Sequence, residues 1–356
     1  MEVISLFSGC GGLDLGFSKA GFKIVWANEH DKTIWDTYQL NHPETQLDKR
    51  DIRKIPSSEI PDCLGIIGGP PCQSWSEAGA KRGINDSRGQ LFHEYIRILK
   101  DKQPLFFLAE NVSGILAARH KQAFDNILAL FTEAGYKVNY QLLNAHDFNV
   151  PQQRKRVIIV GYQEKVGGCF NFPQSSKKTL TLKDAIYDLR KLEPDQLKNT
   201  DSVEKSQAHS YQNKTIYNHQ YLTGGFSSIY MSRNRVKSWN EPSFTIQAGG
   251  RHAPLHPQAN KMVCIEKDQW KFDPDSPKPY RRLSVRECAR IQTFPDDFIF
   301  RYNKIANGYK MVGNAVPVEC ARILGSKIIS DLEEYQKFGF CNKVRESQEV
   351  KQLTLI

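Results

Sequence analysis

The chain has 356 residues, 40% hydrophobic and 25% charged, with a formal net charge of +10. It is long enough for a substantial core and for two domains, and its composition is that of a soluble globular protein. No apolar run approaches the roughly 18 residues that span a bilayer, and "EVISLF" at the start is strand-like rather than a secretory leader, so a cytoplasmic protein with no membrane partner is expected. The eight cysteines include no C-x-x-C pair, which argues against a zinc site or disulfide framework; no metal is expected. The basic balance favours an anionic partner, nucleic acid foremost.

Taken in chain order, residues 1–165 alternate strand-like and helix-like segments. "VISLF" leads through "SGCGG" into the periodic "LDLGFSKAGF", and "KIVWANE" follows. "LGIIGG" stops at two prolines. "LFHEYIRILKDK" has helical spacing of Leu91, Tyr95, Ile98 and Leu99. "PLFFLAENV" reads as a buried strand, "KQAFDNILALFTEAGY" as a helix, and "RVIIVGY" closes the series. Continuous apolar strands between amphipathic helices predict an α/β fold, a mostly parallel sheet with helices on both faces. From about residue 173 the texture is more polar and basic, with short β-like pieces. This predicts a smaller, irregular β-rich domain over 173–307 beside a main domain of 1–172 and 308–340. Helical "SVRECARIQTF" and "VPVECARILGSKIISDLEEYQ" are expected to pack back on the main domain, and 341–356 reads as a tail.

"FSGCGG" follows a strand and opens a helix, so Gly9, Gly11 and Gly12 allow a tight turn and close approach to a ligand. The third glycine of a dinucleotide fingerprint is replaced by Asp14, which disfavours NAD and leaves S-adenosylmethionine open. Glu29, ending the second strand, is suited to ribose hydroxyls, and Asp51 to the neighbourhood of an adenine. The bland alternative is a turn whose acids merely cap helices.

In "IIGGPPCQSWSEAG" a lone cysteine, Cys72, follows a strand and a stiff Pro70-Pro71. Free cysteines are usually buried and inert. Glu110 in "AENV", however, ends another strand and would reach the same sheet edge. A thiol with a carboxylic acid, and no histidine comparably placed, does not resemble a thiol protease. Attack at C6 of a pyrimidine with protonation at N3 makes C5 nucleophilic, and a carboxyl group at a buried strand end can donate that proton.

The motifs "FSGCGGLDLGF", "ANE", "DIRKI", "GGPPCQSWS", "DSRGQLF", "AENVSG", "PQQRKRV", "RRLSVRECARIQTFPDDF" and "GYKMVGNAVP" together resemble the DNA (cytosine-5)-methyltransferases of bacterial restriction–modification systems, in that family's order and over nearly the whole chain. The resemblance implies that Cys72 adds to cytosine C6, that Glu110 is the N3 partner with Asn111 bracing the loop, and that Arg154 and Arg156 orient the base and the catalytic groups. Phe7, Gly9, Gly11, Gly12, Glu29, His30, Asp51, Ile52, Pro70 and Asn314 would form the S-adenosylmethionine pocket. Gln73, Ser76 and Arg88 would meet DNA from a closing loop. His30, Cys10 and Asn149 depart from common family choices; Asn149 replaces a frequent glycine and is expected to keep the left-handed turn. "MSRNRVKSWNEPSFTIQAGGR" and "LHPQA" resemble the branch that recognises GGCC, typified by the HaeIII methyltransferase. Arg233, Arg235 and Arg251 are then the expected guanine readers, with Thr245 also at the DNA. Double-stranded DNA, a cognate restriction endonuclease without a stable complex, and a monomeric state are implied. The alternative is an RNA (tRNA) cytosine-5 methyltransferase, against which the long basic region speaks.

Overall fold

In the computed structural model, which describes residues 1–71, 89–176, 178–203 and 208–339, the apolar runs of the N-terminal half form one seven-stranded sheet. Its strands are β1 (Glu2–Leu6), β2 (Lys23–Asn28), β3 (Gln46–Asp48), β4 (Gly65–Gly68), β5 (Phe106–Val112), β6 (Tyr136–Asn144) and β7 (Lys155–Gln163). They lie in the order β3-β2-β1-β4-β5-β7-β6. Neighbours from β3 to β5 are parallel, and β7 runs antiparallel to both β5 and β6.

Helices α1 (Gly12–Ala20), α2 (Trp35–Asn41), α3 (Gly89–Lys102) and α4 (Lys121–Glu133) belong to this half. Later in the chain come α5 (Leu182–Ile186), α6 (Val285–Ile291), α7 (Ile305–Asn314) and α8 (Val318–Phe338). Successive side chains of β5 go to opposite faces, as strand geometry requires. Phe106 and Leu108 join Phe17 of α1 and Ala321, Leu324 and Ile328 of α8 in one core. Phe107 and Ala109 join Tyr95 and Leu99 of α3 and Phe124, Ile127 and Phe131 of α4 in another. A sheet covered on both faces is what unbroken apolar strands demand. Among the described residues no helix is long and apolar enough to cross a membrane.

A third core gathers Leu182 and Ile186 of α5, Leu222, Ile246, Leu283, and Val285, Cys288 and Ile291 of α6 with Tyr309 and Val312 of α7. Cys10 and Ile34 from the first forty residues also enter it. The short pieces expected after residue 173 are present as three two-stranded sheets. Helix α8 packs back on α1 as expected, whereas α6 sits in this third core.

The third core encloses charge. Ser284 and Glu287 make a capping box that starts α6, and Glu287, fully buried, receives two bonds of 2.8 Å from Arg281. His256 Nε2 lies 3.5 Å from the same carboxylate. Burial works against the charge on Glu287, yet Arg281, with His256 beside it, holds its carboxyl well below the usual range. A depressed folded-state pKa contributes stability above the unfolded value of ~4.3 and loses it as pH falls below that. Removing one partner of a buried pair leaves the other charge uncompensated. Arg281→Met is therefore expected to lower unfolding stability at pH 7 by about 3–5 kcal/mol in urea titrations. A loss under about 1 kcal/mol would show the pair to be energetically idle.

Candidate active site

Strand order reverses where β1 meets β4, and in open α/β sheets ligands bind beyond the carboxyl ends of strands at such a point. A cavity of about 820 Å³ lies there. It is lined by Phe7, Gly9, Gly12, Glu29, His30, Asp51, Ile52, Pro70 and Asn314, and also by Glu110 and Arg156. Residues placed apart by hundreds of positions in sequence thus share one space.

The loop from β1 to α1 takes three left-handed backbones, at Phe7 (φ 56°), Gly9 (φ 56°) and Gly11 (φ 87°). A bulky residue at positive φ is strained, and such strain concentrates at functional sites. Gly11 does not line the cavity: a Cβ there would lie 2.1 Å from Nε2 of His42, so this glycine serves the turn. Asp14, buried in the first turn of α1, accepts from Ser5 Oγ at 2.7 Å and Tyr38 Oη at 2.6 Å. Burial raises its pKa to about 6. An acidic group at that helix start opposes an anionic pyrophosphate.

Glu29 is aimed by two backbone donors, Gly9 N to Oε2 at 2.9 Å and Asp31 N to Oε1 at 2.7 Å. Burial raises its pKa. Asp31 is itself paired with Lys310 of α7. Asp51 caps a short turn and pairs with Arg53, which lowers its pKa to about 2. The Ser8 hydroxyl is buried in the cavity wall with no hydrogen-bond partner. A carboxylate pinned by two peptides, an orphaned hydroxyl and apolar Phe7 and Ile52 suit a nucleoside with a ribose diol.

At the other end of the cavity, Glu110 Oε1 pairs with Arg156 Nε at 2.9 Å. The antiparallel partner strand makes this possible, because β7 sets Arg156 opposite Val112. Asn111 Nδ2 donates to the Pro70 carbonyl at 3.1 Å and so ties β5 to the segment leaving β4. Cys72, Gln73, Ser76 and Arg88 lie outside the described residues. Asn149 keeps the left-handed turn, with φ 57°.

Two expected site residues are held by backbone carbonyls. Arg154, 1% exposed, gives its guanidinium to the carbonyls of Ile246, Gly313 and Ala315 and does not line the cavity. Burial pushes its pKa down to about 9. Its bonds tie Ile246 to the end of α7. Arg235 is buried, donates to the Tyr230 and Ile229 carbonyls at 2.7 and 2.8 Å, and stacks on Tyr230. These bonds engage Nε and Nη2 and shape its loop, while the side chain also lines a second cleft of about 200 Å³. Arg233, exposed, and Thr245, partly buried, line that cleft with Gln153, Gln247 and His252. Arg251 is exposed outside it. Sequence reasoning missed Lys310, Arg119 and His120, which also line the large cavity; the Lys310–Asp31 pair joins distant segments, so no local spacing marks it.

Residues 1–330 match the family model described as C-5 cytosine-specific DNA methylase. The Type II methyltransferase M.MthTI of Methanothermobacter thermautotrophicus is 56% identical over 333 residues, covering 94% of this chain and 98% of that protein. The Type II methyltransferase M.FnuDI of Fusobacterium nucleatum is 52% identical over 359 residues, covering 100% and 99%. Among solved structures, an Escherichia coli protein described as a prophage-encoded DNA modification methyltransferase aligns with a TM-score of 0.73 at 24% identity, over 94% of this chain and 99% of that one.

Glu29→Gln places an amide NH₂ against one of the two peptide donors that aim it. Losing a charge-assisted contact of this kind costs about 1.5–3 kcal/mol. Calorimetric titration with S-adenosylhomocysteine is expected to show affinity reduced by about 10- to 100-fold; an unchanged affinity would remove Glu29 from nucleoside binding.

Proposed function

The chain belongs to the C-5 cytosine-specific DNA methylases and is a DNA (cytosine-5-)-methyltransferase; from that premise we propose that it methylates a flipped-out cytosine within GGCC. Methylation there protects host DNA from a cognate endonuclease of a Type II restriction–modification system. The observation that carries this reading is the single cavity with a nucleoside-type wall at one end and the Glu110–Arg156 pair at the other.

A base inside a duplex hides C5 and C6, so it must leave the stack, at a cost of a few kcal/mol that recognition contacts offset. Glu29, Asp51, Ile52 and Asn314 would hold S-adenosylmethionine, whose sulfonium supplies the methyl group. Glu110 protonates N3 while the Cys72 thiolate bonds to C6, and the C4–C5 enamine so formed takes the methyl at C5. Loss of the C5 proton and return of the N3 proton to Glu110 restore the C5–C6 double bond and break the C6–S bond, returning the thiolate. Arg156 fixes the carboxylate of Glu110 and contributes positive charge at this end of the cavity. The Asn111–Pro70 bond braces the chain two residues before Cys72.

Residues 1–172 and 308–340 form the catalytic part in this reading, and 173–307 the part that reads DNA. Arg233 and Arg251, both exposed, and Arg235, which lines the cleft with Arg233, are the candidates for guanine edges. The family is defined by action on DNA, and the RNA reading is set aside.

Cys72→Ser is expected to bind S-adenosylmethionine yet lose methyl transfer by more than about 10³-fold, given that the thiolate is the only nucleophile proposed; near wild-type transfer would rule out the covalent route. Bisulfite sequencing of DNA from cells expressing the protein is expected to show protected cytosines in GGCC. Protection confined to other sequences would refute the specificity while leaving the reaction intact.

A further inference from the structure

The strand that presents Arg156 to Glu110 is preceded by two buried polar side chains that the reaction does not use. Gln152 and Arg154 are 0% and 1% exposed. Both address the backbone of the same residue, Ile246. The Ile246 N–H donates to Gln152 Oε1 at 2.8 Å, and the Ile246 carbonyl accepts from Arg154 Nη1 at 3.0 Å. On the opposite side, Arg154 Nη2 donates to the Gly313 and Ala315 carbonyls at 2.9 and 3.0 Å. Gln152 Nε2 donates to Gln292 Oε1 at 2.6 Å, and Gln292 Nε2 donates in turn to the Val312 and Ala315 carbonyls at 2.9 and 3.0 Å.

The two segments so held also touch directly. A Cβ on Gly313 would lie 2.3 Å from the carbonyl carbon of Gln247, so the end of α7 meets that backbone with no side chain between. Each segment faces a different binding space. Thr245 and Gln247, flanking Ile246, line the small cleft with Arg233. Asn314, between Gly313 and Ala315, lines the large cavity.

We propose that Gln152 and Arg154 are positioning residues that lock the 245–247 segment to the 313–315 turn, so that duplex DNA at the first and cofactor at the second bind cooperatively. This rests on the methyltransferase reading above. Buried donors whose partners are backbone carbonyls have no water to turn to, so a shift of either segment breaks bonds at both. Sites linked in this way share a reciprocal coupling, commonly about 5- to 150-fold in affinity.

The test is the affinity of a labelled GGCC duplex, read by fluorescence anisotropy with and without saturating S-adenosylhomocysteine. The wild-type protein is expected to bind duplex about fivefold or more tightly with the nucleoside present. In Arg154→Lys and in Gln152→Ala the ratio is expected to fall to near one in protein that circular dichroism shows to be folded. A merely structural role would lower the melting temperature and leave the ratio untouched. A wild-type ratio of one, or a folded variant that keeps the wild-type ratio, overturns the proposal. If Arg154→Lys does not fold, Gln152→Ala decides alone, since it keeps the buried cation in place. Failure of the wild-type protein to methylate any cytosine would instead overturn the functional reading, and the two failures are separately observed.

Discussion

Parallel strands end at one edge of their sheet, and everything that gives this protein a site depends on that constraint. Glu29 follows the end of β2, Pro70 follows β4, and Glu110 lies near the end of β5. The reversal of strand order between β1 and β4 opens a crevice at the same edge. Nucleoside-type contacts and the Glu110–Arg156 pair therefore share a cavity without any long-range design beyond strand order.

The one reversed strand supplies what parallel geometry cannot. Because β7 runs against β5, its beginning, not its end, lies at the functional edge, and Arg156 arrives beside Glu110. The residues just before it, Gln152 and Arg154, then fall between the sheet and the third core. There they meet backbone from the 246 and 313–315 regions. A single short stretch thus serves the catalytic pair with one side chain and the joint between two binding spaces with its neighbours.

Much of this was legible in the sequence. The five continuous apolar runs, the glycine loop and the acids at strand ends follow from local composition and spacing; four of the runs form the parallel strands β1, β2, β4 and β5, the fifth forms the reversed β7, and α1, α3 and α4 stand where the pattern puts them. β6 was not legible: as an edge strand with Tyr140, Gln141 and Leu142 exposed, it lacks a continuous apolar run. The short α2 was missed for a similar reason, being seven residues with few apolar positions. Arg154 was legible only as a motif residue, because a buried arginine bonded to carbonyls has the same spelling as one that meets a ligand.

The central claim, that Cys72 and Glu110 act together on C6 and N3 of a flipped cytosine, is tested most directly with a GGCC duplex carrying 5-fluorocytosine at the target. Fluorine at C5 cannot leave as a proton does, so the step that releases the thiolate is blocked after methyl transfer. Incubation with S-adenosylmethionine, digestion and mass spectrometry should yield a peptide in which Cys72 bears the methylated fluoropyrimidine nucleotide. An adduct on another residue, or methyl transfer to ordinary GGCC with no adduct on the fluorinated duplex, would contradict the account.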